Sequence, residues 1–303
     1  MTSILTNNAA MAALQTLRTI GSNLQDTQNA VSSGLRISKA SDNAAYWSIA
    51  TSMKSDNSAI GAVSDALGLG AAKVDTATTA VTSAIDIVSK IKSKLATAME
   101  ESVDKKSVQE EIGQLQQQLQ SVAQSASFNG ENWVVASSGG SASVVSSFIR
   151  GTNGTVSIST TSYAFDAGAT GNVLFGSSGG TIDTTSGILG TSDASVGASV
   201  FSLDISSMTS GQISSALNMV QTALNSMTSL GSKLGSVSAR IDLQTSFASS
   251  LSDSIESGVG KLVDADMEQE SSKLSALQTQ QQLAVQSLSI ANSSSQSILS
   301  LFR

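Results

Sequence analysis

The sequence predicts a mainly α-helical protein. Its N- and C-terminal regions form long antiparallel coiled-coil rods, with a small β-rich outer domain inserted between them. Three observations support this fold class: two long heptad runs, the absence of proline from all 303 residues, and a change of composition between the runs. An interior proline costs a helix about 3 kcal/mol or more, so a chain without proline can maintain long unbroken helices.

The first heptad run extends from Ile49 to Leu95 and indicates one long helix. Steps of seven along it meet large apolar residues, and a second stripe that starts at Val63 meets small or apolar ones. This combination is typical of a coiled coil, whose seam needs a partner helix to be buried. The predicted seam consists of Met53, Ile60, Leu67, Val74, Val81, Val88 and Leu95.

A second heptad run follows the capping-box sequence Thr209–Gln212 and continues to Leu262. Its predicted seam contains Val220, Met227, Leu234 and Ile241. Because neither rod can bury its seam alone, we expect the two rods to pack side by side.

Two shorter features connect the first rod to the middle of the chain. Ser107–Glu110 matches a capping box and predicts a helix that folds back antiparallel on the rod. Asn129–Gly130 is a strong tight-turn signal, because both residues tolerate positive φ, and it predicts a hairpin in which Trp133 is a core anchor.

Residues 137–207 are rich in Gly, Ser, Thr and Val and predict a β-rich insertion. Repeated alternation of apolar and polar residues favours ordered strands over a flexible segment. The predicted strands are Ala142–Ile149, Thr155–Tyr163, Asn172–Phe175 and Ser199–Ile205.

The two chain ends predict amphipathic helices, one over residues 8–35 and one from Glu268 to Leu301. They either dock on a core as ordinary surface helices or pack against other subunits. No charged residue occurs from Leu283 to Leu301, and exposed contiguous apolar surface marks an interaction site, so the second interpretation predicts self-association. The residues expected to drive it are Leu14, Leu17, Leu24, Val31, Leu35, Leu277, Leu288, Ile298 and Leu301.

Breaks in the pattern separate the terminal helices from the rods. Gly34 is expected to end the first helix, and Ser41, Asp42 or Asn43 to cap the next one. Residues 263–267 form the corresponding break near the C-terminus. We expect the two breaks to form an inter-domain spoke that contains Arg36, Ser41, Asp42, Asp264 and Asp266.

Composition lowers the expectation of several function classes. The net charge is −7, whereas a nucleic-acid binder typically shows a basic stripe. The chain has no Cys and no His, so it lacks the commonest general acid/base and metal ligand, and we expect neither an enzyme nor a cofactor. Its first residues do not match a signal peptide, and no stretch approaches the ~20 apolar residues of a membrane span, so we expect export without a cleaved signal and no membrane insertion.

Several motifs resemble those of bacterial flagellins. Ser33–Ile37 and Asp42–Ala45 are similar to the N-terminal family motif, and Val263–Met267, Leu277–Ala284 and Ser289–Arg303 are similar to the C-terminal signature. Within the family, Ser41–Ala50 and Ser127–Trp133 look most like flagellins of rhizobia and agrobacteria. Filaments of that group are often built from several related flagellins.

This resemblance implies a structural subunit that self-polymerises into the extracellular flagellar filament, the helical propeller of swimming motility. It implies three domains: inner-tube helices (1–40 with 263–303), a rod domain with a hairpin (41–137 with 206–262) and a surface-exposed outer domain (138–205). It also implies type III export, a chaperone on the C-terminal helix, and contact with filament cap and hook–filament junction proteins.

The resemblance also suggests an innate-receptor patch at Ile91, Leu95 and Glu111. The arginine that enteric flagellins carry near Ile91 is absent here, so we expect weak receptor activation. Two alternative functions are a hook–filament junction protein and an adhesin or glycan-binding module that acts through the β-rich tip.

Four carboxylates lie near the start of the last helix: Asp264, Asp266, Glu268 and Glu270. Negative charge is favourable at a helix N-terminus, so we interpret them as stabilising the helix and not as a metal or acid/base site.

Overall fold

The computed structural model describes residues 7–151, 153 and 155–300, with the side chains of 294–300 left out of the description. Most of these residues are helical, and a small strand-containing region lies in the middle of the chain, which confirms the predicted fold class. The helices are α1 (Asn8–Ser33), α2 (Ala44–Thr97), α3 (Lys105–Ser125), α4 (Ser210–Val263) and α5 (Met267–Ser300). The strands are β1 (Ser127–Phe128), β2 (Glu131–Asn132), β3 (Ser141–Arg150), β4 (Val156–Ala164), β5 (Gly176–Ser178) and β6 (Thr181–Asp183).

Three helix boundaries form through the predicted capping residues. Gly34 ends α1 in the left-handed conformation, with φ of 71°. The side chain of Asn43 accepts two backbone N–H hydrogen bonds from the first turn of α2. Thr209 and Gln212 form the reciprocal capping box, in which the Thr209 N–H donates to Gln212 Oε1 at 2.9 Å and the Gln212 N–H donates to Thr209 Oγ1 at 3.4 Å.

The predicted capping box at Ser107–Glu110 is wrong. Helix α3 begins at Lys105, and its N-cap is Asp104. The Asp104 carboxylate accepts the Lys106 N–H at 3.1 Å and the Ser107 hydroxyl at 2.8 Å. Asp is as strong an N-cap as Ser, so the earlier residue takes the position and Ser107 becomes a donor to it.

The chain forms two compact units. One consists of the segments up to Ser58 and from Ser252 onward, and the other is Ala59–Leu251. These bounds differ from those of the predicted domains, because most of the rod region and the β-rich region share the second unit. The three predicted domains, as regions of an assembled polymer, stay a prediction.

Helices α2 and α4 run antiparallel within the Ala59–Leu251 unit. Lys92 Nζ donates to Gln221 Oε1 at 2.6 Å, and Gly231 faces Val81 further along. Apart from Ile60, the seam side chains in this unit are buried together with the apolar face of α3 (Val108, Ile112, Leu119). The α3 helix folds back on α2, since the Lys94–Glu111 ion pair joins its start to the end of α2.

Two hairpins lie at the start of the strand-containing part of the chain, and the first of them is the hairpin that the sequence predicts. Asn129 and Gly130, with φ of 51° and 83°, form the turn of the β1–β2 hairpin. Strands β3 and β4 pair antiparallel from Ser141↔Ala164 to Arg150↔Val156, with an irregularity between Val145 and Ser147. These strands confirm the predicted segments Ala142–Ile149 and Thr155–Tyr163.

The other two predicted strands are wrong. Asn172–Phe175 is irregular apart from one bridge between Val135 and Phe175, and the β5–β6 hairpin begins only at Gly176. Ser199–Ile205 contains one turn, over residues 200–202, and is otherwise irregular. Both segments still contribute buried residues to the core, namely Leu174, Val200 and Leu203. The alternation of apolar and polar residues in these segments therefore indicates which side chains are buried, but the segments do not pair as strands.

Candidate self-assembly surface

Helices α1 and α5 pack antiparallel in the first compact unit. At one end the Asn7 side-chain amide donates to the Ala291 carbonyl at 3.0 Å, and at the other end Leu35 bridges Asp264. The seam between the helices buries Ile20 and Thr27 on α1, which are seven residues apart, and Leu277 on α5. This seam is a two-helix coiled coil with a small buried interface, because only a few side chains are removed from water.

The predicted assembly residues differ in burial. Leu277 is buried; Leu17, Leu24, Val31, Leu35 and Leu288 are half-buried; and Leu14 is exposed. The side chain of Ile298 and the whole of Leu301 lie outside the described residues. Sequence reasoning missed Ile20 and Thr27, although a second heptad stripe three residues beyond Leu17 and Leu24 could have identified them.

Large apolar side chains remain exposed on both terminal helices. Met11 and Leu14 are exposed on α1, and Leu283, Val285 and Ile290 are exposed on α5. A single exposed apolar residue is ordinary, but several on two paired helices favour association with other protein surfaces. Leu283 and Val285 are two residues apart and lie on different faces of α5, so the exposed side chains are distributed around the helix pair. We call these five residues the α1–α5 apolar surface.

The start of α2 carries a second exposed apolar group that sequence reasoning missed. Tyr46, Trp47 and Ile49 are all exposed in the first turns of the helix. The sequence does contain a signal for this group, because two aromatic residues beside a helix cap are unusual in a chain with only 4% aromatic residues.

The two breaks in the helical pattern meet as a short backbone ladder. The N–H groups of Arg36 and Ile37 donate to the Val263 carbonyl at 2.7 and 3.2 Å, and the Ala265 N–H donates to the Gly34 carbonyl at 2.9 Å. The Arg36 guanidinium adds a 2.9 Å hydrogen bond to the Leu262 carbonyl. A cation is favourable at this position, because carbonyls at a helix C-terminus lack helical partners and carry partial negative charge.

A small apolar core supports this ladder. Ile37, Ala50, Val259 and Val263 are buried together, with Met53 packed against them. The structure therefore brings together Arg36 and the backbone around Asp264, and it anchors them through apolar residues that were not predicted as part of the spoke.

The remaining predicted spoke residues act within their own turns. Asp42 Oδ2 accepts the N–H groups of Ser38 and Lys39 at 3.0 and 3.2 Å. These hydrogen bonds, the Ser38 N–H first among them, lower the pKa of the Asp42 carboxyl. Asp266 caps α5 by accepting two backbone N–H groups, and Ser41 is exposed beside Asp42.

The structure places most predicted seam residues in the interior. Met53 is half-buried in the first unit, and the others are buried in the second: Ile60, Leu67, Val74, Val81, Val88, Leu95, Val220, Met227, Leu234 and Ile241. They are apolar side chains at the interface of α2 and α4, as a coiled-coil seam requires.

The innate-receptor residues do not share one surface. Ile91 and Leu95 are fully buried, so their side chains offer no area to a receptor in this subunit. Glu111 is exposed and forms an ion pair with Lys94. The predicted patch therefore reduces to Glu111, and receptor recognition stays a prediction.

Comparisons with known proteins match both ends of the chain. The bacterial flagellin N-terminal helical region matches residues 4–138, and the bacterial flagellin C-terminal helical region matches residues 217–302. The chain is 44% identical to Flagellin A and 45% identical to Flagellin B of Rhizobium meliloti, each over 395 aligned positions. It is 47% identical to a flagellin of Brucella melitensis over 304 positions. Each alignment covers the whole of both proteins.

Proposed function

This chain belongs to the bacterial flagellin family and is a structural subunit of the flagellar filament, and we propose that its copies polymerise through the α1–α5 apolar surface. The single observation that carries this proposal is the exposure of Met11, Leu14, Leu283, Val285 and Ile290 on two paired helices. Each fully buried side chain of this kind contributes roughly 1.5–3 kcal/mol, so covering this surface with neighbouring copies would stabilise a polymer.

The ladder between residues 34–37 and 263–265 supports a mechanical role for the predicted spoke. Three backbone hydrogen bonds and the Arg36–Leu262 contact tie the two chain segments together between the terminal helices and α4. We infer that this ladder keeps α1 and α5 together when the subunit enters the polymer. In the same proposal, 1–40 with 263–303 lies innermost in the filament and 138–205 lies outermost.

We locate the protein in the extracellular flagellar filament, because that is where flagellins act. Copies of this chain polymerise there, and related flagellins are proposed as additional subunits. Export without a cleaved signal, a chaperone on the C-terminal helix, and contacts with the cap and junction proteins are part of the proposal. No helix in the described part of the chain combines the length and apolar character that a membrane span requires.

The alternatives have less support. Trp133 is only 2% exposed and stacks on Tyr163 with ring centroids 5.5 Å apart, so its indole is a core anchor and offers no open face to a sugar. Among the described residues, no three His, Cys, Asp or Glu side chains cluster in a way that could hold a metal ion. The family is structural, which agrees with the expectation of a non-enzyme.

The test is seeded polymerisation of the purified subunit. Short filament seeds and a precipitating salt are added to monomer, and the products are examined by negative-stain electron microscopy and circular dichroism. We expect long hollow filaments. A folded monomer that never elongates, even when a sister flagellin is added, would contradict self-polymerisation and favour the junction protein.

A further inference from the structure

All the sulfur in this chain belongs to methionine. The 303 residues contain eight methionines and no cysteine. A peroxide oxidises the methionine thioether to a sulfoxide, which converts a flexible apolar side chain into a polar one. Because no cysteine thiolate competes for the oxidant, the accessible methionines are the sulfur groups of this protein that a peroxide in solution can oxidise.

The methionines of the described chain differ in accessibility. Three have exposed side chains, with exposed fractions of 58% for Met11, 43% for Met267 and 41% for Met99. The others are half-buried or buried, and the most protected is Met227, at 0%. A peroxide should therefore react first with the three exposed thioethers, and fastest with that of Met11.

Met11 is the methionine of the α1–α5 apolar surface. It lies one helical turn after the N-cap Asn7, whose side-chain amide donates to the Ala291 carbonyl of α5 at 3.0 Å. Leu14, three residues later, lies on the same face of α1 and is also exposed. A sulfoxide at Met11 would therefore place a polar oxygen beside Leu14, within the surface that assembly is proposed to cover.

We propose that Met11 is an oxidation site that controls assembly of the subunit, with hydrogen peroxide as the oxidant. This inference rests on the proposed function, because it concerns a residue of the surface through which the copies polymerise. The sulfur lone pair of Met11 attacks one peroxide oxygen, an S–O bond forms and the O–O bond breaks. The thioether is oxidised to the sulfoxide, and the second oxygen leaves with both hydrogens as water, so the peroxide is reduced.

The sulfoxide opposes assembly because its oxygen is hydrated on the free monomer. An apolar contact removes that water without replacing its hydrogen bonds, and burial of an unpaired polar group is unfavourable. Oxidised monomers should therefore add poorly to a filament end, whereas Met11 in an assembled subunit is covered and protected from the oxidant. The modification is reversible, since methionine sulfoxide reductases restore the thioether.

The first test measures seeded elongation before and after peroxide treatment. Wild type is compared with Met11→Leu, a well-tolerated exchange that removes the sulfur and retains an apolar side chain. Met267→Leu is the matched control, because Met267 lies in the same compact unit and is also exposed. Peptide mass spectrometry measures the sulfoxide at each methionine, and circular dichroism shows whether the oxidised monomer remains folded.

The result is the critical concentration of each oxidised protein relative to the same protein untreated. We expect an increase of at least fivefold for wild type and Met267→Leu, and of less than twofold for Met11→Leu. Treatment with both sulfoxide reductases should return oxidised wild type to its starting value. An equal increase in Met11→Leu and wild type, or no increase in oxidised wild type, would overturn the inference and leave the filament function intact.

A second test uses filaments made by cells and does not depend on elongation in vitro. Sheared filaments and folded monomer receive the same peroxide treatment, and mass spectrometry gives the rate of sulfoxide formation at each methionine. We expect Met11 to react at least tenfold more slowly in the filament, whereas the buried Met227 should react slowly in both and serves as the internal reference. Equal rates at Met11 would show that its thioether stays accessible after assembly and would overturn the proposal.

Discussion

Val144 of β3 packs directly on Gly70 of α2, so closely that a Cβ added to Gly70 would overlap the Val144 Cγ1 methyl. Both residues are buried in the core of the Ala59–Leu251 unit. The absence of a side chain at Gly70 thus creates the space in which the β3–β4 hairpin docks on the long helix. In the sequence the same glycine is only a small residue on the second heptad stripe.

Gly70→Leu should therefore destabilise the subunit, although leucine is the better helix former. Overpacking a tight contact costs about 1–3 kcal/mol, which exceeds the gain in helix propensity of up to about 1 kcal/mol. Gly68→Leu is the matched control, because nothing lies within 4 Å of the added Cβ and the site is exposed. Urea unfolding should show a loss at position 70 and no loss at position 68. Equal stability of the two variants would contradict the close packing.

Gln116→Ala should destabilise the segment that follows Ser199. The Gln116 side-chain amide is buried and donates to the carbonyls of Val200 and Leu203, both at 3.1 Å. The Leu203 carbonyl also accepts from Gln109 Nε2 at 3.1 Å, so the variant leaves the Val200 carbonyl without its side-chain partner. Leaving a buried carbonyl unpaired costs about 1–3 kcal/mol. The measurement is hydrogen exchange of the backbone between residues 199 and 208, together with urea unfolding. Gln117→Ala, at an exposed position on the same helix, serves as the control, and a similar effect there would contradict this assignment.

Leu277→Ala and Leu283→Ala should separate folding from assembly. Leu277 is buried between α1 and α5, so its truncation should cost the monomer about 2–5 kcal/mol, less if the site collapses. Leu283 is exposed, so its truncation should leave monomer stability within about 0.5 kcal/mol while it raises the critical concentration of polymerisation. Thermal unfolding and seeded elongation measure the two effects. A Leu283→Ala chain that elongates as readily as wild type would count against the α1–α5 apolar surface.

The stability of the monomer should fall at acidic pH. The Ser38 N–H lowers the pKa of Asp42, and the Ser107 hydroxyl lowers the pKa of Asp104, both from the ordinary value of 3.8. Because the folded pKa values lie below the unfolded ones, the stabilising contribution is complete above the unfolded value and is lost as pH falls through the folded value. In urea unfolding, the contribution of these two groups to the free energy of unfolding should thus be constant between about pH 7 and 5. It should decrease below about pH 4.

The control for this prediction is the double variant Asp42→Asn with Asp104→Asn, which retains amide acceptors at both positions without a titrating carboxyl. Its free energy of unfolding should decrease less than that of wild type between pH 5 and pH 2.5. Parallel decreases for both proteins would assign the acid sensitivity to other carboxyl groups.

The helical part of this protein could be predicted because its signals are local. A seam of apolar residues at steps of seven, the capping residues Asn43 and Thr209, and the left-handed position at Gly34 all depend on neighbours within two turns of the same helix. The self-assembly interpretation followed from the same kind of signal, since the chain has no charged residue from Leu283 to Leu301. The Asn129–Gly130 turn is equally local, because two adjacent residues specify it.

The β-rich region shows where local signals were insufficient. Asn172–Phe175 and Ser199–Ile205 alternate as strands do, yet neither forms one of the paired strands of the described chain. A strand needs a partner at hydrogen-bonding distance, and the backbone at Val200 and Leu203 is instead satisfied by Gln116, more than eighty residues away. Apolar and polar residues can alternate in any segment that buries some of its side chains, whether or not its backbone pairs with another strand.

By itself, the sequence determined the helices, most of their caps and the apolar seams, because periodicity within a helix decides which face is apolar. Its motifs resembled those of a polymer-forming family, and the matched family regions and relatives show that membership. Only the tertiary structure decided that Ile91 and Leu95 are buried, that Val144 docks on Gly70, that Arg36 binds the Leu262 carbonyl, and that Leu243 and Phe247 stay exposed. Each of these depends on chain segments far apart in sequence. Heptad spacing shows which face of a helix is apolar. Which other segment covers that face, and how closely, depends on how the whole chain packs.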